Sequence, residues 1–366
     1  CHQKRYSPKL WIFMKTLRRF SAVLIGIVFF VSGILKFMDP VGTSLIVEAY
    51  LNFFKLGFLR PVSYFCGVAF AVAETAVGAA LITGVWRRIT AFASLVLTSF
   101  FTLVTLVLLI ANPDMDCGCF GEAVHLTHAQ SFIKNLVILA LWALAFIPFR
   151  AVGEPAKVKY ASFAIVMVSS LLFFLYSALS IPLVDFTEYK PGNELTSMED
   201  FDFSSGEEPL LLNFRDAADG YADSLALEGK VMVVSVSSPD RLSEKKWRKV
   251  SSFVRTAEEA GFTSLVLVAS TPELFGGLVQ DPFVLSHSYF ADRKKLVTLN
   301  RSNAGVVFID DAYIVSKWSF NHAPDRETLM EIASQDQAEV VMSSSGKSAL
   351  KFQAFMLYVF AVMLLI

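Results

Sequence analysis

Two cysteines separated by one glycine are the residues of this chain best suited to chemistry. Cys117 and Cys119 lie in the stretch DMDCGCFGE, residues 114–122, between two long apolar segments. Two thiols at this spacing can close a disulfide, because the Cα atoms of residues i and i+2 lie near the usual separation for a bridge. The small ring of such a bridge is strained, which favours thiol–disulfide exchange. A permanent disulfide that staples the loop is the alternative.

A metal site is the third chemistry open to the same loop. The four residues Cys117, Cys119, His125 and His128 could form a Cys2His2 set. Their spacing, Cys-x-Cys-x5-His-x2-His, is not a familiar zinc pattern, and His128 stands just before a predicted helix. The three chemistries therefore stay open, and redox exchange is preferred to a metal site.

The composition of the chain indicates a membrane protein. Of the 366 residues, 54% are hydrophobic and 18% are charged, and the mean hydropathy is +0.53. Soluble proteins of this size are rarely so apolar. A helix needs about 20 apolar residues to cross a bilayer. Five early segments meet this requirement, at residues 20–38, 63–84, 89–111, 132–149 and 160–181, and residues 349–366 are a sixth predicted span, expected to be truncated.

The basic residues near these spans predict the orientation of the chain. Alternate counting of the spans puts three basic clusters on one side: Lys15, Arg18 and Arg19; Arg87 and Arg88; Arg150, Lys157 and Lys159. The positive-inside rule makes that side the cytoplasm, so the N-terminus is predicted to be cytoplasmic. The cysteine loop and residues 182–348 then face the periplasm of a bacterial inner membrane, where disulfides persist. Residues 1–13 precede a typical membrane-protein start at Met14 and are expected to be an upstream or disordered segment.

Residues 182–348 are more polar and alternate between strand and helix patterns. Strands are predicted at 231–238, 264–271, 304–310 and 312–320. A helix is predicted between the first two strands, because four apolar residues recur there at helical spacing: Trp247, Val250, Phe253 and Val254. Alternation of this kind predicts a compact α/β domain, and about 165 residues are enough to bury a core.

Three residues within the spans are further candidates for a site. Glu74 is predicted near mid-membrane, where an acidic side chain is costly and therefore a candidate proton or quinone contact. A neutral, hydrogen-bonded carboxyl that only packs is the alternative. Lys36 lies near the outward end of the first span and could pair with Glu74, although their depths are expected to differ by about two helical turns. Cys66, near the outward end of the second span, could resolve a mixed disulfide or simply fill space.

Three motifs resemble a known family of membrane proteins. The stretches SGILKFMDP, ETAVGAALITG and DCGCFGE occur in this order within residues 14–150 and resemble the DoxX/MauE-like group of four-helix membrane proteins. MauE-type members are implicated in disulfide formation during maturation of methylamine dehydrogenase, and DoxX-type members in quinone-linked thiol or sulfur oxidation. The resemblance implies functional roles for Lys36, Glu74, Cys117 and Cys119, and a quinone as the candidate cofactor.

The periplasmic region resembles a thioredoxin-fold module in the order of its elements. The stretches GKVMVVSVSS, SLVLVAST and NAGVVFIDDAYIVSKW follow that order. The sequence SPDRLSE stands where a redox thioredoxin carries Cys-x-x-Cys, and residues 303–305 read Asn-Ala-Gly where a proline is expected. The resemblance therefore implies a degenerate domain that binds a partner or covers the cysteine loop.

The predicted protein is an α-helical membrane protein with an extracytoplasmic α/β thioredoxin-like domain. Its predicted parts are a four-helix DoxX/MauE-like bundle at 14–150, a linker and fifth span at 151–181, the degenerate domain at 182–348 and the sixth span at 349–366. As an enzyme it would be a membrane thiol–disulfide oxidoreductase that exchanges a Cys117–Cys119 disulfide with periplasmic client thiols and passes electrons to a quinone or another carrier.

Two further functions remain as alternatives. A non-catalytic scaffold or assembly factor would hold a periplasmic client through the degenerate domain, in an oligomer or a membrane complex. A transporter is less favoured, since the sequence has no inverted repeat or pair of broken helices. Membrane lipid is an expected partner, whereas the net charge of −1 gives no indication of nucleic acid.

Overall fold

The computed structural model describes residues 8–115, 117–147, 155–196, 209–335 and 350–361. The chain divides into two compact units, one made of Cys1–Ala178 with Met356–Ile366 and the other of Leu179–Phe355. The first unit is helical, and the second is built around a β-sheet. Residues 1–13 were expected to be an upstream or disordered segment. The first helix already begins within this segment, at Pro8, and residues 1–7 lie outside the described residues.

Six helices and one short strand make up most of the helical unit. They are α1 (Pro8–Met38), α2 (Pro40–Phe53), α3 (Ser63–Thr83), α4 (Arg87–Ala111), β1 (Cys119–Glu122), α5 (His128–Phe146) and α6 (Lys157–Leu179). Five segments of the described chain are long and apolar enough to cross a membrane: Ile12–Met38, Gly57–Thr83, Arg87–Ala111, His128–Phe146 and Lys157–Leu179. These confirm the five early predicted spans. In the sixth, residues 350–361 form a shorter apolar helix, α12 (Leu350–Ala361), and residues 349 and 362–366 lie outside the described part.

The helix α2 was not predicted from the sequence. Its first turn is capped by Asp39, whose carboxylate accepts a 2.8 Å hydrogen bond from the amide of Gly42, and Pro40 occupies the first helical position. Aspartate followed by proline is a strong helix-start signal. At 14 residues the helix is too short to be found as a membrane span.

Helices α1 and α3 cross at glycines that allow their backbones to touch. A Cβ atom added to Gly78 of α3 would lie 2.8 Å from the carbonyl oxygen of Gly26 in α1. A Cβ atom on Gly33 of α1 would lie 2.8 Å from the carbonyl oxygen of Ala71 in α3. Small residues permit this approach, and helix association in a membrane depends on such close packing. The crossing fixes α1 and α3 as the frame on which the site is built.

The second unit contains a mixed five-stranded sheet. Its strands are β2 (Lys230–Val236), β3 (Thr263–Val268), β4 (Ser288–Phe290), β5 (Gly305–Asp310) and β6 (Tyr313–Trp318), in the spatial order β4-β3-β2-β5-β6. Strands β2, β3 and β4 are parallel, whereas β5 is antiparallel to both β2 and β6. The four predicted strands are confirmed. Strand β4 was not predicted, because a run of three residues is too short to show a strand pattern.

Helices cover both faces of this sheet. The predicted helix is confirmed as α7 (Glu244–Glu259), which buries Trp247, Val250 and Val254 against one face. The other described helices of the unit are α8 (Pro272–Leu278), α9 (Pro282–Ser286), α10 (Arg293–Leu299) and α11 (Arg326–Ser334). Nearly every residue of β2 is buried, as expected for a strand with both faces covered. This confirms an α/β region after the membrane helices.

A half-buried ion pair in the second unit predicts a pH dependence. The ammonium of Lys317 lies 2.7 Å from the carboxylate of Asp185, which also accepts a 2.9 Å hydrogen bond from the amide of Thr187. Burial alone would raise the pKa of Asp185, but the charge and hydrogen bond of Lys317 outweigh it and lower that pKa below its ordinary value of 3.8. The pair therefore contributes stability that is present above pH 3.8 and is lost as the pH falls through the lowered pKa.

We expect Asp185→Asn to remove this pH dependence and to destabilise the unit at neutral pH by about 1–3 kcal/mol, because the Lys317 ammonium loses its partner charge in a half-buried position. Hydrogen exchange of the peptide Tyr313–Trp318, corrected for the intrinsic effect of pH, measures both effects in the full chain. The double variant Asp185→Leu/Lys317→Met is the control and should regain most of the loss. Equal protection in the wild type and Asp185→Asn would contradict this prediction.

Candidate functional site

Five of the seven predicted site residues line one cavity of about 300 Å³, and His125 and His128 do not. Cys66, Cys117 and Cys119 reach its wall, as do Lys36 and Glu74. Most of the remaining wall is apolar and aromatic, including Phe29, Phe54, Phe70, Phe100, Phe101 and Phe120. A mostly apolar cavity with a few convergent polar groups is typical of a small-molecule site.

Lys36 and Glu74 form a buried ion pair at the polar end of the wall. The lysine is 7% exposed and the glutamate 3%, and Lys36 Nζ lies 2.8 Å from Glu74 Oε2 and 3.1 Å from Oε1. Lys36 and Glu74 were expected to lie at depths that differ by about two helical turns, yet the structure places them in direct contact. A lysine side chain leans towards the N-terminus of its helix, so that Lys36 reaches back along α1 towards Glu74 on α3.

The same ammonium holds the cysteine loop. Lys36 Nζ donates a 2.7 Å hydrogen bond to the carbonyl oxygen of Cys119 and a 2.8 Å bond to Ser32 Oγ. The Ser32 hydroxyl lies 2.6 Å from that carbonyl and 2.8 Å from Glu74 Oε2. With the bond to Glu74, the three protons of the ammonium each have an acceptor. The buried charge is therefore fully satisfied, and the backbone at Cys119 is tied to α1.

Helix α2 holds the other cysteine of the loop. The hydroxyl of Tyr50 donates a hydrogen bond to the carbonyl oxygen of Cys117. The two cysteine carbonyls are thus bound by side chains from different helices, Tyr50 of α2 and Lys36 of α1. Neither Tyr50 nor Ser32 was singled out in the sequence. The spacing of Ser32 and Lys36, four residues apart on one helix, was the available signal.

Gly118 allows the turn between the two cysteines. Its φ of +57° lies in the left-handed region, and an added Cβ atom would collide with the side chain of Ile46. The positive φ favours glycine at this position, and the close approach of α2 adds a second reason. Both constraints act at the centre of the Cys-Gly-Cys motif.

We expect Gly118→Ala to weaken the loop by about 1–2 kcal/mol, because alanine is strained at positive φ and crowds Ile46. Hydrogen exchange of the peptide containing residues 117–122 should then be about 5- to 30-fold faster than in the wild type. In the control Gly118→Ala/Ile46→Ala, which removes only the crowding, we expect partial recovery. Unchanged exchange in the single variant would show that the loop tolerates a side chain at this position.

Cys117 contacts a histidine at the start of α5. Its Sγ atom lies 3.0 Å from Nδ1 of His128, and Nε2 of the same ring lies 3.0 Å from the carbonyl oxygen of Pro113. His128 occupies the first position of α5, after a capping box in which Thr127 and Gln130 exchange hydrogen bonds. The helix start therefore fixes the ring between the thiol and the carbonyl.

The three described cysteines differ in exposure. Cys117 is buried, whereas Cys66 and Cys119 are half-buried. Of the proposed zinc ligands Cys117, Cys119, His125 and His128, the structure brings Cys117 and His128 into contact. Among the described residues, no group of three His, Cys, Asp or Glu side chains is placed to hold a metal ion.

One further basic residue lies at the cavity and was missed in the sequence. The ammonium of Lys134 in α5 lies 4.9 Å from the centroid of the Phe120 ring, a cation–π distance. Both residues line the cavity. The residue after the Cys-Gly-Cys motif is thus also held by a side chain from a helix.

Comparison with known proteins gives one family match. No curated protein and no solved structure matches the chain. The matched residues include most of α1, all of α2 to α5 and the cysteine loop, whereas the α/β unit lies outside the match. Together with five apolar helices, this indicates a multi-pass membrane protein. Residues 14–148 match the family of the methylamine utilisation protein MauE.

Proposed function

We propose that this protein is an integral inner-membrane thiol–disulfide oxidoreductase whose exchange centre is the pair Cys117 and Cys119. The observation that carries the proposal is that both thiols line one cavity with Cys66 and a buried ion pair. The cavity lies within the residues that match MauE. We therefore place the clients of this chain in methylamine utilisation.

The proposed reaction oxidises client thiols outside the membrane. Two client thiols give up two electrons and two protons and become a disulfide, while the Cys117–Cys119 disulfide becomes two thiols. The two cysteines are then reoxidised by an electron carrier, and Cys66 is the candidate for relaying the exchange. The strain of a ring with one intervening residue favours this exchange over a permanent bridge.

A quinone is the proposed electron carrier, and the cavity fits one. Its wall is largely aromatic and apolar, as the ring of a lipid quinone requires, and its polar end is formed by Lys36, Glu74 and Ser32. The bound quinone would supply a two-electron, two-proton acceptor. Glu74 would hold a proton at its carboxylate beside the quinone, Lys36 would fix the position of that carboxylate, and the apolar wall would exclude water.

The orientation with the cysteine loop in the periplasm is supported by the placement of basic residues. Arg19 of α1 donates a 2.8 Å hydrogen bond to the carbonyl of Leu81, near the end of α3. The first basic cluster thus lies near the turn before α4, whose first two residues are Arg87 and Arg88. The cysteine loop follows the opposite end of α4. Under the positive-inside rule the basic end is cytoplasmic.

The α/β unit is proposed to be a degenerate thioredoxin-like domain that binds the client. The order β3-β2-β5-β6, with β5 and β6 antiparallel, supports this fold. Where the family has its cysteines and proline, the Asn303 amide bonds the backbone of Ser238 twice, at 3.0 and 2.8 Å. A side-chain amide cannot carry out thiol–disulfide exchange. We therefore assign the redox step to the cysteine loop.

Complementation tests the redox proposal. A strain that lacks this chain and requires it for growth on methylamine is supplied with Cys117→Ser/Cys119→Ser or with the wild type. We expect the double variant to fail, although it accumulates in the membrane like the wild type. The matched control is Ser162→Cys, on α6 and outside the cavity, which adds a thiol, leaves the pair intact and should support full growth. Full growth with the double variant would overturn the proposal.

A non-catalytic scaffold is the second candidate, favoured by the absence of cysteine beyond residue 119 in the sequence. In that case a client should crosslink to residues 209–335 as strongly in Cys117→Ser/Cys119→Ser as in the wild type, and growth should be retained. Crosslinking with loss of growth would instead support a client-binding redox protein.

A further inference from the structure

The contact between Cys117 and His128 distinguishes the two cysteines of the loop. The Sγ atom of Cys117 lies 3.0 Å from His128 Nδ1, whereas Cys119 is held through its backbone carbonyl, which accepts hydrogen bonds from Lys36 and Ser32. Cys117 is buried and Cys119 is half-buried. One sulfur therefore has an imidazole beside it, and the other is more accessible to a partner.

The protonation of the His128 ring follows from its second contact. A carbonyl oxygen only accepts, so Nε2, which lies 3.0 Å from the Pro113 carbonyl, must carry a proton. Nδ1 is then left to accept the proton of the Cys117 thiol, or to donate to the Cys117 thiolate once it holds that proton. A nucleophile, a base and a group that orients the base are the parts of an activated thiol.

We propose that Cys117 and His128 form a thiol–imidazole pair that makes Cys117 the buried leaving group of the bridge and leaves Cys119 as the sulfur attacked by the client. This inference rests on the proposed redox function and deepens it. His128 is a catalytic base in this scheme, because its Nδ1 touches a reacting sulfur. A leaving sulfur that is stabilised as a thiolate departs faster, and exchange requires access to the attacked sulfur.

The step balances without any further reactant. A client thiol loses its proton to Nδ1 of His128, and the client sulfur attacks Cys119 Sγ. The bond between Sγ of Cys119 and Sγ of Cys117 breaks, and a mixed disulfide forms between the client and Cys119. The electron pair of the broken bond stays on Cys117, which takes the proton from His128. A second client thiol then attacks the client sulfur, the bond between that sulfur and Cys119 Sγ breaks, and a client disulfide forms. Cys119 keeps the electron pair and takes the proton of the second client thiol, so that it leaves as a thiol.

Alkylation of the reduced protein tests the role of His128. The full chain in detergent, kept reduced, is treated with iodoacetamide, and the labelling rates of Cys117 and Cys119 are read by mass spectrometry. We expect His128→Ala to slow labelling of Cys117 by about tenfold or more, to leave Cys119 within about twofold, and to be rescued by added imidazole. The matched control His125→Ala, a change to the exposed histidine of the same loop, should leave both rates unchanged.

Alanine is tolerated at the first position of α5, because the cap there is made by Thr127 and Gln130. An unchanged Cys117 rate, equal slowing of both cysteines, or slowing that imidazole does not reverse would overturn the pair. Rescue by imidazole separates a base from a residue that only packs. The assay needs no client and no oxidant, so its failure is distinct from failure of the redox function in complementation.

Trapping identifies the attacked sulfur. The oxidised chain is treated briefly with limiting glutathione, quenched with an alkylating reagent and mapped by mass spectrometry. We expect glutathione on Cys119 and the alkyl group on Cys117. The opposite pattern would overturn the assignment of Cys117 as the leaving group.

Discussion

Replacing Glu74 by leucine is expected to destabilise the helical unit by about 3–5 kcal/mol, because the buried Lys36 ammonium would lose its partner charge. Lys36 Nζ lies 2.8 Å from Glu74 Oε2, and both side chains are almost fully buried among apolar residues. Without the carboxylate the lysine must be neutralised or drawn towards water. Thermal unfolding of the purified chain in detergent measures the change, read as a lower midpoint.

The control for this prediction removes both charges. In Lys36→Met/Glu74→Leu no charge stays buried, so most of the lost stability should return, although the bond from Lys36 to the Cys119 carbonyl is absent. The double variant should therefore be stable but have a less ordered cysteine loop. A double variant as unstable as Glu74→Leu would show that the loop bond, rather than charge compensation, is the main contribution.

Replacing Gly78 by leucine is expected to separate α1 from α3 and to abolish the folded helical unit. The Cβ atom would meet backbone atoms of α1, including the Gly26 carbonyl oxygen at 2.8 Å, and a backbone cannot yield as a side chain can. Overpacking of a buried site typically costs about 1–3 kcal/mol, and rigid backbone contacts put this case at or above the upper end. We expect the misfolded chain to lose its monodisperse peak in size-exclusion chromatography in detergent.

A substitution elsewhere on α3 controls for the change in residue type. Val72→Leu adds bulk at a residue that is exposed on the same helix, and we expect it to leave the elution profile and the thermal midpoint unchanged. Gly78→Ala should fall between the two. A monodisperse, fully stable Gly78→Leu chain would contradict the close crossing of α1 and α3.

The membrane helices and the central strands were predictable because their signals are local. A run of about 20 apolar residues or a short run of β-branched residues is visible without knowledge of its neighbours. The start of α5 was misplaced by four residues, at 132 instead of His128. The sequence Thr127-His128-Ala129-Gln130 has the pattern of a capping box, which was the available signal.

The site was predictable only as a set of residues, not as an arrangement. Lys36 and Glu74 were singled out because charges in a membrane are costly, but their contact depends on the crossing of α1 and α3. The pairing of Cys117 with His128 depends on how the loop turns at Gly118 and where α5 begins. Such contacts form between elements distant in sequence, so a periodic pattern within one element cannot indicate them.

The state of the cysteine pair in native membranes tests the central proposal most directly. Membranes are treated with one alkylating reagent, reduced, and treated with an isotopically heavier one, so that mass spectrometry distinguishes thiols from bridged cysteines. With a quinone-pool oxidant present, we predict that Cys117 and Cys119 are labelled together by the second reagent, and that removal of the oxidant shifts both to the first. Complete labelling of both by the first reagent even with the oxidant present would contradict the proposal that this loop carries redox chemistry.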